Sequence, residues 1–303
     1  MVVLNSAIHL FLVLFLSPLL LGVINKTKAF IGGRVGPPLL QAYFDLMKLF
    51  RKGMVFSRTT TWVFRAGPLV GWISIFTASL IVPLGHHKAV LAFQGDMIFM
   101  VYLLALARFF MASAALDTGS SFEGMGAARE VSFSSFAEPA LFFGFMALVR
   151  LSQTYSLSDM VLGENFKVGP EKIASLILIT VAWFIVLLAE NSRIPFDDPN
   201  THLELTMIHE VMVLDHSGPA LGLILHGSSM KLLLMGALVM DVALPWDSSG
   251  MADWPIFILE MGFLAVLIGL IESFMARLRL KFIPNLLVSA CLLSAFGFIL
   301  LVR

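Results

Sequence analysis

The sequence predicts an all-α integral membrane protein, one polytopic domain over 1–303, with about eight transmembrane helices and an amphipathic surface helix in the first cytoplasmic connection. Three observations predict it. Hydrophobic residues make up 58% of the chain and charged residues 13%, against about a quarter charged in a soluble domain, and the mean hydropathy is +0.91. The apolar residues fall in continuous runs near the roughly 20 that a spanning helix needs. They do not alternate in segments of about ten, as a membrane β-barrel would require. A backbone in lipid has to satisfy its own polar groups, so such runs are helical. The net charge is zero, which gives no basis for a nucleic-acid partner.

Spans are expected over 3–24, 62–84, 94–116, 133–151, 172–190, 217–245, 254–276 and 282–302. The first run, Val2 to Val23, has nothing basic before it and is too long for a signal-peptide core, so it reads as a span. The connections 25–61, 117–132, 191–216 and 277–281 carry twelve Lys and Arg; the other side has Lys88, Lys167, Lys172 and Arg303. That bias places the first set in the cytoplasm.

In the first connection, IGGRVGPPLL is a turn and LLQAYFDLMKLFRKG has the amphipathic spacing of a helix that stops near Gly53. It reads as a helix lying in the headgroups or as a cavity wall or docking surface. Asp117, Ser120 and Ser121 are candidate helix caps in the second connection. Glu123, Arg129 and Glu130 follow and can pair locally. Glu138 lies inside an apolar helix beside Pro139, where a carboxylate costs roughly 2.5–3.5 kcal/mol on insertion scales and needs a partner, water or a proton. Arg108 and Arg150, near span ends, are expected to snorkel. Lys231 sits too deep for that and is expected to face a carboxylate or cavity inside the bundle. Asp241 and Glu260 are expected at the hydrated outer end, and Glu272 beside Arg277 as a local pair. Cys291, the only cysteine, can hold neither an iron–sulfur cluster nor an internal disulfide.

The densest polar stretch is AENSRIPFDDPNTHLELTMIHEVMVLDHSGP, Ala189 to Pro219. His209-Glu210 begins a zinc-peptidase pattern that Val213 breaks. Asp198 before Pro199, or Thr201 with Glu204, reads as a helix start. Glu190 and Arg193 are one turn apart, a natural ion pair. His202, His209 and Glu210 could share one helix face. Neighbouring carboxylates and imidazoles move one another's pKa, which suits proton storage and relay better than a single nucleophile.

GRVGPPLLQAYFDLMKLF, GSSFEGMGAARE, AENSRIPFDDPNTHLEL with EVMVLDHSGP, and FMARLRL occur in this order over nearly the whole chain. Together they resemble the membrane subunit that floors the quinone chamber of respiratory complex I, and its relatives in energy-converting nickel–iron hydrogenases of the formate hydrogenlyase and hydrogenase-4 type. Glu190, Arg193, Pro195, Phe196, Asp197 and Glu204 match the complex I pattern. Asn200 and His202 stand where that pattern has carboxylates, Asp215-His216 where it has Glu-Tyr, and Gly227 where it has an acid in the sixth span. The wording is more similar to the hydrogenase branch.

The resemblance implies a non-catalytic anchoring and coupling subunit in a prokaryotic cytoplasmic membrane. It would carry no cofactor of its own and no metal. The [NiFe] centre and iron–sulfur clusters would lie on partner hydrogenase large and small subunits and iron–sulfur proteins at the cytoplasmic face, with antiporter-like membrane subunits and lipid alongside. Charge relay would fall to Glu138, Glu190, Arg193, Asp197, Glu204, Glu210 and Lys231. Supporting charges would be Glu123, Arg129, Glu130, Asp198, His202, His209, Asp215 and Glu272, and partner docking would involve Arg34, Asp45, Lys48, Arg277 and Arg279. The competing expectations are a quinone-site subunit of a complex I type NADH:quinone oxidoreductase and a stand-alone transporter. No internal repeat supports the transporter.

Overall fold

A computed structural model describes residues 2–163, 170–197, 207–244 and 253–302. The chain opens with α1 (Val2–Phe11), which passes through a π-helical turn (Leu12–Leu16) into α2 (Ser17–Ile31). Then come α3 (Gln41–Phe50), α4 (Trp62–Ser79), α5 (Asp96–Asp117), α6 (Ser121–Ser152) and the short α7 (Leu157–Leu162). The second half holds α8 (Pro170–Glu190), the single turn α9 (His209–Met212), α10 (Gly218–Ala243), α11 (Asp253–Phe274) and α12 (Ile283–Val302).

Among the described residues, seven helices are long and apolar enough to cross a membrane: the joined α1–α2, α5, α6, α8, α10, α11 and α12, the last counted from Leu280. The chain is thus a multi-pass membrane protein. The segment expected as an eighth span is α4, which ends at Ser79 after 18 residues. At 1.5 Å per residue that is about 27 Å, just under the ~30 Å hydrocarbon layer. Arg65, Gly67, Pro68 and Gly71 dilute its apolar character. The fourth expected span, 133–151, is instead the end of a 32-residue helix that starts at Ser121. At about 48 Å, α6 outruns the bilayer by several turns, so most of the stretch read as a connection is helix.

α10 occupies the middle of the bundle: 72% of its apolar window is buried, and Leu232, Leu233 and Leu234 are almost fully enclosed. It packs against α2, α3, α4, α8 and α11. α12 lies against α6 and α8, and α4 against α5. Small residues let the axes approach, as is usual in membranes. Gly144 of α6 sits directly on the Trp183 indole of α8, where an added Cβ would overlap the ring. Trp183 is 1% exposed and has nowhere to go. Gly144→Val is therefore expected to cost about 1–3 kcal/mol by overpacking, read as a lowered Tm in detergent.

The expected amphipathic helix is α3, with no buried residue and with Phe44, Met47 and Phe50 exposed. It lies across the bundle: Tyr43 donates its hydroxyl to the Phe15 carbonyl, and Phe50 packs over Gly222 of α10. Asp117 caps a helix, though not the one expected. It accepts from the Thr61 amide at 2.6 Å, the Thr61 hydroxyl at 2.9 Å and the Phe64 amide at 3.3 Å, tying the end of α5 to the start of α4.

Candidate functional site

Four helices bring ionisable groups together inside the bundle. Arg108 of α5 bonds Glu138 of α6 at 2.5 Å and Glu190, the last residue of α8, at 2.7 and 2.9 Å. Lys231 of α10 reaches the Glu190 carboxylate at 2.7 Å and the Glu190 carbonyl at 2.6 Å. A carboxylate at a helix C-terminus opposes the helix dipole, so Glu190 needs cations, and it has two. Lys231 also satisfies a carbonyl that the end of α8 leaves without an intrahelical donor. The Glu190 side chain is 4% exposed and Arg108 12%, whereas Glu138 is 35% exposed on the outer side of α6. The network runs from an enclosed carboxylate to one at the bundle surface. Arg108 is thus an interior partner and does not snorkel.

A second group lies beyond the end of α8. Glu272 of α11, its side chain fully enclosed, stands 2.8 Å from the Lys28 ammonium of α2 and 3.4 Å from the Arg193 guanidinium. The Lys28 contact is off the hydrogen-bonding angle and acts as an ion contact. Asp197 bonds Arg277 at 2.8 Å through one oxygen and takes the amides of Ile208 and His209, at 2.8 and 3.3 Å, on the other. Leu278 donates to the Pro195 carbonyl at 2.9 Å, pinning the turn to the stretch after α11. The turn itself is tight, with Ser192 at φ 50° and a cis Ile194–Pro195 bond.

These partners correct two local readings. Glu190 and Arg193 do not pair, because the turn at Asn191–Ser192 sends them to opposite sides of the chain. Glu272 pairs with Lys28 and Arg193, while Arg277 goes to Asp197. A third correction concerns Asp241, expected at a hydrated end and in fact 5% exposed within α10.

Of the remaining expected site residues, Glu130 and His209 face the cavity described next. Arg129 donates to the Met207 carbonyl at 2.8 Å, and Glu123 takes the Asp215 amide at 2.9 Å, so both hold the α9 stretch against α6. Glu210 is on α9. Arg34, Asp45, Lys48 and Arg279 are exposed, Asp45 taking a bond from Gln41, whereas Arg277 turns inward. Asp198, His202 and Glu204 lie outside the described residues, as do Thr201 and Asn200. Sequence reasoning missed Lys28, counted only as a topology charge, and gave Arg108 the wrong surroundings.

A cavity of about 670 Å³, its open mouth included, is enclosed by α4, α5, α6, α8, α9 and α10. Its polar wall holds Arg108, Glu130, Glu190, His209 and Lys231; its apolar wall includes Trp72, Met111 and Ile224. Gly227 faces it from α10, leaving that wall without an acid.

His216, just before α10, is 4% exposed and stacks on Phe64 with ring centroids 4.0 Å apart. Both its ring nitrogens lack a hydrogen-bond partner. Burial pushes its pKa down to about 4. The unfolded chain titrates near 6.5, so between these values the unfolded state holds more protons. Stability is complete above pH ~6.5 and falls toward pH ~4 by up to about 3 kcal/mol from this group. Melting curves across that range are expected to slope for the wild type and to flatten in His216→Phe.

A family model described as NADH dehydrogenase matches residues 4–303. Formate hydrogenlyase subunit 4 of Escherichia coli (strain K12) is 31% identical over 283 residues, 91% of each chain. Hydrogenase-4 component C of the same strain is 28% identical over 281 residues, 90% of this chain and 88% of that one. Among solved structures, a chain of the membrane-bound sulfane sulfur reductase, an archaeal respiratory membrane complex, has the same fold, with a TM-score of 0.84 over 99% of both chains at 21% identity.

Proposed function

Because the chain belongs to the NADH dehydrogenase family, we propose that it is the membrane-anchoring and coupling subunit of a multi-subunit complex of the formate hydrogenlyase or hydrogenase-4 type. In this reading hydrogenase and iron–sulfur subunits carry the redox centres and dock on the face bearing α3, α9 and Arg279, at the cytoplasmic side of a prokaryotic inner membrane. Antiporter-like subunits contact the membrane-embedded flank. This chain supplies the electrostatic link between them.

The observation that carries the coupling role is Glu190, one enclosed carboxylate held by Arg108 and Lys231, with Arg108 passing on to a half-exposed Glu138. At an effective dielectric of about 20, unit charges 4 Å apart interact by about 4 kcal/mol. Glu130 and His209 line the same cavity as Lys231 and Glu190, so a charge change there acts on that pair through the cavity. Glu190 shares Arg108 with Glu138, so a stronger Glu190–Arg108 pair weakens the Arg108–Glu138 pair. Glu138 then favours taking up a proton from a neighbouring membrane subunit, and gives it up when its pairing with Arg108 is restored. The second group holds the turn 191–197 against α2 and α11, so movement of the docked partner reaches Glu190 through one rigid turn.

Purification in mild detergent through a tag on this chain tests the assignment. Nickel and iron co-purifying with hydrogen evolution is the expected result. Iron with flavin and quinone reduction, without nickel, would move the chain to a quinone-reducing complex, and a single protein without metal would contradict both.

A further inference from the structure

Behind the cavity wall, His226 of α10 is bonded through both ring nitrogens. Its Nδ1 lies 2.9 Å from the Trp72 Nε1 of α4, and its Nε2 lies 3.1 Å from the Leu14 carbonyl. An indole N–H can only donate and a carbonyl can only accept. Nδ1 must therefore be the bare acceptor and Nε2 must carry the hydrogen. The partners fix both tautomer and charge: His226 is the neutral Nε2–H imidazole, with no free site for a second proton. Leu14 belongs to the π-helical turn Leu12–Leu16, where the regular hydrogen-bond ladder is displaced. The neighbouring Phe15 carbonyl is likewise taken by a side chain, Tyr43. Ser229, one turn along α10, meets Ser17 at 3.4 Å across the same seam. Trp72 itself lines the cavity, stacked on Phe76, and Gly227 and Lys231 face the cavity from α10.

We propose that His226 is a positioning residue that holds Trp72 in the cavity wall while neutral, and that a proton on Nδ1 releases Trp72 and loosens the seam between α4 and α10. A protonated Nδ1 would set N–H against N–H, a contact with no acceptor. Few other charges act at this level. α4 offers one charged residue, Arg65, two turns away over Phe56. The first helix presents the Leu14 carbonyl and Ser17, and α3 presents Tyr43. α10 adds Lys231, which Glu190 holds; across the cavity stand Arg108, Glu130, Glu190 and His209. The inference goes beyond the coupling reading and holds for the full chain whatever complex it joins.

The test uses the full-length chain in lipid nanodiscs, labelled with ¹⁵N at histidine and tryptophan, with solid-state NMR spectra from pH ~8 to ~5. Subtracting Trp72→Phe spectra isolates the Trp72 indole, and subtracting His226→Gln spectra isolates His226 among seven histidines. The expected result at the alkaline end is a protonated Nε2, a bare Nδ1 and a hydrogen-bonded indole. On acidification, protonation of Nδ1 and loss of the indole hydrogen bond occur in one step. His226→Gln keeps one acceptor and one donor but cannot titrate, so it is expected to hold the indole bond throughout. An Nδ1–H tautomer, an indole signal that does not move with pH, or the same step in His226→Gln would each overturn the proposal. Should His226→Gln fail to fold, the paired histidine and indole steps of the wild type decide it alone.

Discussion

Replacing Glu190 with glutamine is expected to destabilise the chain by about 3–5 kcal/mol, because it removes one charge from an enclosed group and leaves a cation behind. Arg108 would keep Glu138, but Lys231 would be left with the Glu190 carbonyl as its hydrogen-bond acceptor. Lys231 lies in α10, the most enclosed of the candidate spans, where its side chain is 16% exposed and faces the cavity. The second half of the prediction is compensation. Lys231→Met in the Glu190→Gln background removes the orphaned charge and should recover a measurable part of the loss, whereas Lys231→Met alone should destabilise. A double-mutant cycle on thermal melting in detergent reads the coupling, expected at about 1–3 kcal/mol. Simple additivity would mean that the pair is not energetically linked.

Glu272→Gln is expected to be comparably severe, about 3–5 kcal/mol, with a different local consequence. Its carboxylate stands between Lys28 and Arg193 and draws together α2, α11 and the turn after α8. Without it two cations, Lys28 at 24% and Arg193 at 11% side-chain exposure, face each other with no carboxylate between them. The turn 191–197 would then hang on the Asp197–Arg277 pair and the backbone bond from Leu278. Amide hydrogen exchange is expected to rise in 191–197 and around Lys28 while α12 stays protected. An increase spread evenly over all helices would instead mean that Glu272 contributes only to global stability.

Much of this arrangement is legible in the sequence, and what is not has physical reasons. Apolar runs mark the helices because lipid leaves the backbone no other option. Lys231 is legible as an interior cation because it lies mid-helix, too deep in the apolar run to snorkel. Its partner is not, since Glu190 is 41 residues away and nothing local links them. Arg108 shows the same limit: a cation near a helix end snorkels if its face meets lipid and pairs if it meets helices, and one sequence does not say which way the helix is turned. Local spacing misleads where the chain turns, which is why Glu190 and Arg193, one turn apart in sequence, serve different groups. Lys28 reads as a topology signal because α2 continues to Ile31 beyond the apolar run. The extent of α6 was hidden because Ser, Gly and Glu lower its apolarity without ending it. Trp72 and His226 carry no signal on their own; only the packing of α4 against α10 brings them together.

The most direct test of coupling is ion uptake per hydrogen evolved in inverted membrane vesicles, wild type against Glu138→Gln. Glutamine keeps an acceptor for Arg108 but cannot carry a proton. Hydrogen evolution is expected to continue while ion uptake per hydrogen falls about tenfold or more, a change of at least ~1.4 kcal/mol in the linked step. Uptake per hydrogen equal to that of the wild type would contradict it and leave Glu138 as no more than a partner for Arg108.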